Sequence, residues 1–534
     1  MSRRVAELVP ALAAGLCTML FVLATMGPAL LDDADFDGDA PQHQFWAQEA
    51  WHADPLAHDA SARFFASDAM SPVGWRWLME GLATFGDIQR TGEVAGIALV
   101  AATGIVLYAL GRAAGGSWGG LVLVTSYLAA AIVGHNPFGK GLLQRHFAPI
   151  LLAGGLLGLL RGRLWMTAIA LVATSLLYPI ALAVLGLVAA THTAIRCARD
   201  RRLPRGWPIL LAAAVVALAI VGLRDVPEVY GDRVTLDEMR TMPNFGPHGR
   251  QAYDFDHPSR YFTHGWTGLG VSRPGVVVGG IVLVGLTLWR RTNGVWLGWL
   301  TIAASLLVWT AAHLVPFHLY LPHRHAAIPL PLAASLIVAA ALPIPARQLR
   351  ATPSIRLLAA AAVVTSFAGL LVATKGDRKP RPPGAPDAVI AWLRDSPPDT
   401  LVASHPRDAD DLPLRTGRTS LVAFETLVGW YPRYHRDVDL PRTRDVMRAY
   451  HADGWADVDR LAERYGVDVF YWTPTGLDDD NDRWEPLRSA SAEARDAADG
   501  PPVLAKPPPE RVILRDGDRV LVRVGSLRSP SDDD

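Results

Sequence analysis

Residues 164–192, LWMTAIALVATSLLYPIALAVLGLVAATH, contain no Asp, Glu, Lys or Arg and are interrupted by one proline, Pro179. A bilayer core is crossed by about 20 apolar residues in helical form, so this run is too long for one span. Proline removes a backbone donor and clashes with the preceding turn. The stretch therefore reads as a hairpin of two short helices. Comparable apolar runs recur near 8–31, 93–111, 118–134, 143–160, 208–223, 274–290, 295–313, 325–343 and 356–373. Backbone groups in lipid must be satisfied within the chain, so each run is expected to be a helix. Residues 1–373 thus read as an α-helical polytopic membrane protein of about eleven spans.

The hairpin also decides the topology. Basic residues cluster at Arg3/Arg4, Arg161/Arg163, Arg196/Arg199/Arg201/Arg202/Arg205, Arg290/Arg291 and Arg347/Arg350/Arg356. All five clusters fall on one side, the cytoplasmic side by the positive-inside rule, only if 164–192 turns back on itself. The N-terminus is then cytoplasmic. The acidic first loop 32–92, the second large loop 224–273 and everything beyond residue 373 become extracytoplasmic. The first span lacks a clear small-residue cleavage site and reads as an uncleaved anchor. Lys+Arg and Asp+Glu balance at 51 each, and nothing in that balance calls for a nucleic-acid partner. Cys17 lies in a span and Cys197 in a basic loop, which excludes a disulfide framework.

Beyond the last span the periodicity changes. A linker at 374–386 is rich in proline and charge (RKPRPPGAP, 378–386). Within 387–525, short apolar runs at 400–404, 420–424 and 467–472 read as strands, and 387–395 and 441–465 as helices. Residues 511–524 read as a hairpin turning at Asp516–Gly517. This predicts a small C-terminal α/β soluble domain, a support or acceptor-binding module, followed by a disordered tail at 526–534. In the first loop, two aromatic groups (Phe45, Trp46 and Trp51; Phe64, Phe65, Trp75 and Trp77) suggest helices lying on the membrane surface with tryptophans at the lipid–water boundary.

The densest polar feature follows the first span. Asp32, Asp33, Asp35, Asp37 and Asp39 are five carboxylates within eight residues. Such a cluster can hold a divalent cation such as Mg or Mn, with Asp37 and Asp39 as oxygen ligands. It can equally supply a general base whose pKa is raised by its like-charged neighbours. The structural alternative is that Asp39 caps a helix and the others are solvated loop charges. His318, His323 and His325 are spaced like no zinc motif and fit an interfacial loop better.

The stretches GDAPQHQFWAQEAWHADPLAHD (38–59), SPVGWRWLMEGLATFGD (71–87), VTLDEMRTMPNFGPHGR (234–250) and LYLPHRH (319–325) together resemble a bacterial multi-pass group within the GT-C superfamily of membrane glycosyltransferases. The match falls on Asp39, Gln42, His43, Trp46, Asp54, Pro55 and Asp59. The resemblance implies a bacterial plasma-membrane enzyme that moves a sugar from a polyprenyl-phosphate donor to an extracytoplasmic acceptor. By that analogy Asp39 is the catalytic base, with Asp37 next, and His43 and Asp59 contact substrate. The departing lipid phosphate needs cations. Arg145 and His146 in LLQRHFAPI, Arg250 and Arg324 are the candidates, because ionisable groups at membrane depth are by default functional. The alternative for Arg145 and Arg324 is snorkelling to headgroups. Two other function classes stay open: a lipid or glycan transporter or flippase, for which helices broken near Pro179 would suit, and a non-catalytic GT-C-like assembly subunit.

Overall fold

The computed structural model describes residues 3–26, 43–47, 60–134, 141–224, 226–252, 268–269, 273–315, 318–342, 384–477 and 482–525. The expected span at 356–373 and the tail at 526–534 lie outside these residues, as does all but the end of the linker. Among the described residues, four helices are long and apolar enough to cross a membrane: Ile88–Ala130, Ile180–Asp200, Asn293–Leu314 and Arg324–Ala341. Shorter apolar helices accompany them at Val9–Phe21, Leu164–Leu177, Trp207–Gly222 and Gly279–Trp289.

Small residues let these helices approach closely, as expected where lipid provides no hydrophobic drive for association. The helix Ile88–Gly134 is two arms broken at Gly115 and Gly116, the latter at φ 74°. The arms fold back on each other through Gly111 and Gly119. A Cβ on Gly111 would stand 2.3 Å from the Gly119 carbonyl oxygen, and one on Gly119 2.5 Å from that of Gly111. This accounts for the two expected spans at 93–111 and 118–134. The first helix, Arg3–Met26, lies against the first arm, where a Cβ on Gly104 would meet Thr18 Oγ1 at 2.4 Å.

The run 164–192 breaks where the proline stands, into Leu164–Leu177 and Ile180–Asp200 with Tyr178 and Pro179 between them. Arg145, Tyr178, Arg224, His318 and Arg324 all line one cavity. The helix ends that carry them therefore meet at one end of the bundle. Each helix rises about 1.5 Å per residue, so a 14-residue helix carries the chain roughly 21 Å away. At the far end, a Cβ on Gly162 would lie 3.4 Å from the Arg196 guanidinium, and one on Gly206 3.6 Å from Leu164 Cβ. The basic turns around 161–163 and 196–206 thus share the end opposite the cavity.

The C-terminal part carries a five-stranded sheet in the order β2-β1-β3-β5-β4. The strands are β1 Leu401–Ser404, β2 Thr419–Ser420, β3 Val469–Trp472, β4 Val512–Asp516 and β5 Arg519–Arg523. β1 pairs in parallel with β2 and β3, and β5 pairs antiparallel with β3 and β4. All four residues of β3 are buried, which is why VFYW occupies the middle of the sheet. Three boundaries differ from expectation. β2 ends at Ser420, because after Leu421 the chain turns into a 3-10 segment, Phe424–Thr426, whose first N–H bonds the Pro406 carbonyl at 2.9 Å. The helix expected over 441–465 is two, Leu440–His451 and Trp455–Tyr465. The break is at Ala452, whose carbonyl accepts from Val503 N–H at 2.7 Å. The final hairpin turns at Gly517–Asp518, one residue later, since Gly517 takes the positive φ of 58° that a tight turn needs.

This sheet unit sits on the loops at the cavity end. Val234 N–H bonds Trp430 O at 2.9 Å, and Glu485 N–H bonds His248 O at 2.9 Å. His435 Nε2 lies 3.0 Å from Asn244 Oδ1. An aromatic cluster fills the junction, with Phe64 stacked on Tyr434 at 4.6 Å and edge-on to Tyr230 at 4.8 Å. The first loop does carry helices, at Ala60–Ala66 and Val73–Ala83. Most of its aromatics face protein rather than lipid, however. Phe64, Phe65 and Trp75 are fully buried and Phe45 and Trp46 nearly so, while Trp77 is 64% exposed. The tyrosines of the sheet unit supply the partners that a lone loop would have sought in the headgroup layer. Trp51 lies outside the described residues.

Candidate functional site

The helix ends that meet at the cavity bring cations and apolar walls together. The cavity encloses about 870 Å³. One wall is the face Ala183, Gly186, Leu187 and Ala190 of the helix that starts at Ile180, and the facing wall is Ala214, Leu218 and Val221. These positions recur every three or four residues, so each set is one stripe of its helix. The first stripe runs about 10 Å along the axis. At one end stand Arg145, Arg224, Arg233 and Arg324, with His43 and His318. Among the described lining residues there are four arginines and no Asp or Glu.

Local structure fixes each group. Arg145 lies on the 3-10 turn Gln144–Phe147 that leads into the helix Ala148–Arg161. Two contacts tie that turn to the first loop: Gln44 Nε2 donates to Leu142 O at 2.7 Å and Gln144 Nε2 to Met70 O at 3.3 Å. Arg324 opens the turn Arg324–Ala327, held by neighbouring side chains. Ser305 Oγ donates to the His325 carbonyl, and His325 Nε2 is hydrogen-bonded to Leu319 O. The preceding Tyr320 holds φ 68°, a left-handed backbone that a bulky residue rarely adopts, and its ring packs edge-on to Trp430 at 5.1 Å. A residue of the sheet unit thus braces the wall of the cavity.

Buried polar atoms at this end have no hydrogen-bond partner among the described residues. The Tyr178 hydroxyl, in the break between two helices, is buried and has no hydrogen-bond partner among the described residues. Arg324 and Arg145 line the same cavity. Arg224 Nη2 is likewise buried without a partner among the described residues. Burial and then the charge of Arg233 hold the Arg224 guanidinium below its ordinary pKa. Arg233 itself donates to His318 O at 3.3 Å. A buried donor left without a partner is costly. An anion in the cavity would relieve that cost.

The residues singled out from sequence separate into three groups. Arg145, Arg324 and His43 line the cavity. His146 and Arg250 serve the structure elsewhere: buried His146 accepts Leu143 N–H on Nδ1 at 3.1 Å, while Arg250 pairs with Glu425, donates to Phe424 O at 2.8 Å and lies over the Phe424 ring. Asp37, Asp39 and Asp59 lie outside the described residues. Sequence reasoning passed over Arg224, Arg233 and Tyr178. The signal for Arg224 was available, since it follows the apolar run 208–223 directly, just as Arg324 adjoins another. Among the described residues no group of three or more His, Cys, Asp or Glu could hold a metal ion.

No protein-family model matches the chain. No curated protein matches it. Among solved structures, the chain is similar to the Archaeoglobus fulgidus oligosaccharyltransferase tethered by a disulfide to an acceptor peptide containing the NVT sequon. The identity is 11%, the TM-score 0.48, and the match covers 91% of this chain and 72% of that one.

Proposed function

We propose that this chain is a membrane glycosyltransferase that transfers a sugar from a polyprenyl-phosphate donor to an acceptor outside the plasma membrane. The observation that carries the reading is the cavity: a guanidinium-lined end joined to an apolar slot between two helices. A polyprenyl-phosphate sugar has the complementary form, an anionic head on a greasy chain. Arg145 and Arg324 would hold the phosphate and stabilise the charge that develops on it as the sugar leaves. The slot would take the first isoprene units. The orientation follows from charge. With the basic turns in the cytoplasm, the opposite end, bearing the cavity mouth and the sheet unit, faces outward.

In this reading Asp39 is the general base that accepts the acceptor's proton, and Asp37 is its nearest substitute. Support comes from His43, which lines the cavity. Asp39 precedes His43 by four residues in the sequence. Asp59 and His43 would contact the sugar or acceptor. The test is chemical. In a strain lacking the protein, the expectation is that one polyprenyl-linked sugar accumulates, is cleared by the wild-type chain and is not cleared by Asp39→Asn. Unchanged lipid-linked sugar pools in the deletion strain would refute the proposal.

A further inference from the structure

One short stretch of the sheet unit, residues 430–433 with the sequence WYPR, reaches three separate segments at the arginine end of the cavity. The Trp430 carbonyl accepts Val234 N–H at 2.9 Å, directly after the lining residue Arg233. The Arg433 guanidinium donates to Glu228 O at 3.3 Å, two residues past the lining residue Val226. The Tyr431 hydroxyl donates to the carbonyl of Ala69, itself a lining residue, at 3.5 Å. The Trp430 ring packs edge-on to Tyr320 at 5.1 Å, in the lining segment 318–325. Segments far apart in the sequence are thus held by one stretch of a unit that lies outside the helix bundle.

Tyr320 is the point at which this hold matters. It keeps φ 68°, and a bulky residue stays in such a backbone only where its surroundings over-determine it. Arg324 follows four residues later and opens a turn by bonding its N–H to Leu321 O at 3.1 Å. A change of φ at Tyr320 would swing the chain that leads into that turn. We infer that Trp430 is a positioning residue for Arg324, acting through Tyr320, and that the docked sheet unit sets the shape of the cavity's arginine end. This rests on the donor reading above and gives the sheet unit a part in donor binding. By linkage, lipid binding and docking of the sheet unit favour each other equally.

Trp430→Ala deletes the ring but keeps the carbonyl that holds Val234, so it separates the two contacts. Binding of polyprenyl monophosphate and of neutral polyprenol to the full-length protein in nanodiscs is measured beside thermal unfolding. Trp430→Ala should weaken monophosphate binding about tenfold, because the competent arrangement is no longer held. Trp430→Phe, which keeps a ring against Tyr320, should stay within about threefold of wild type. Tyr434→Leu is the control. Tyr434 stacks on Phe64 at 4.6 Å in the same junction and is not among the described lining residues. It should lower the unfolding temperature as Trp430→Ala does, yet leave lipid binding within about twofold of wild type. An equal loss of binding in Trp430→Ala and Tyr434→Leu, or no loss in Trp430→Ala, overturns the inference but not the donor reading. A further measurement needs no variant: polyprenyl monophosphate should slow hydrogen exchange at the Val234 amide of the wild-type protein. Unchanged exchange there, with the lipid bound, also overturns the inference alone. If the wild type binds the monophosphate no better than polyprenol, both readings fail.

Discussion

Arg250, in the large loop 224–273, and Arg324, beside the apolar run 325–343, were both candidates for the phosphate, but the structure gives them different contacts. Arg250→Ala removes an ion pair with Glu425 whose side chains are only 14% and 13% exposed. It also removes the donor to Phe424 O at 2.8 Å and a cation over the Phe424 ring at 4.6 Å. Breaking a buried pair costs about 3–5 kcal/mol, and residual exposure lowers that to about 2 kcal/mol here. The lost carbonyl bond adds about 1 kcal/mol. A total near 3 kcal/mol lowers the unfolding temperature of a unit of this size by roughly 5–10 °C. The assay is thermal unfolding followed by tryptophan fluorescence, beside binding of polyprenyl monophosphate at a temperature where the variant is folded. The expected result is a clear loss of stability with donor binding within about threefold of wild type. Unchanged stability together with a tenfold or greater loss of donor binding would refute the assignment and return Arg250 to the phosphate site.

The remaining predictions concern the cavity, the base and the junction. Arg324→Ala should do the reverse of Arg250→Ala: donor binding falls about tenfold or more while the unfolding temperature hardly moves, a split that calorimetry and lipid binding together resolve. Tyr178→Phe removes a buried hydroxyl that has no partner among the described residues; it should leave stability unchanged or slightly raised and weaken polyprenyl phosphate binding by several-fold. Asp39→Asn should keep donor binding yet lose transfer by about a hundredfold or more, as the loss of a general base requires; normal transfer in that variant removes Asp39 from the mechanism. Asp439 is buried, and burial raises its pKa to about 6 against the opposing pull of its His435 contact. A raised carboxyl pKa means that ionisation disfavours the fold, so this group's contribution is full below about pH 4 and is lost as pH rises through about 6. Asp439→Asn should therefore flatten the fall in stability over that window, which unfolding measured from pH 4 to 7.5 would show.

Much of the fold was legible because lipid imposes a coarse rule. Unbroken apolar runs must be helices, so the break at Pro179 and the pair of arms on either side of Gly115 could be read from composition. The strand Val469–Trp472 was legible on a different ground, as a short apolar run buried on both faces. What composition could not supply was pairing at a distance. Phe64 and Trp75 read as membrane-surface aromatics because nothing near them in sequence reveals Tyr230, Tyr431 and Tyr434, which enclose Phe64 from residues far along the chain. The same limit applied to the arginines. Arg145 and Arg324 were visible from their position at span ends. That Arg250 reaches Glu425 across 175 residues, and that Arg224 joins the cavity, depends on how the helices and the sheet unit meet.

The central claim is that a polyprenyl phosphate lies in the slot with its head among the arginines, and photo-crosslinking tests it most directly. A polyprenyl phosphate bearing a diazirine on its first isoprene units is incubated with the protein in nanodiscs, irradiated, and the labelled peptides are mapped. The account predicts label on the inner stripes around Ala183–Ala190 and Ala214–Val221, competed by unlabelled polyprenyl phosphate and lost in the Arg145→Ala, Arg324→Ala double variant. Label confined to the outward residues Ile209, Leu211 and Val215, each more than half exposed, and insensitive to competitor or to the arginine variant would contradict it.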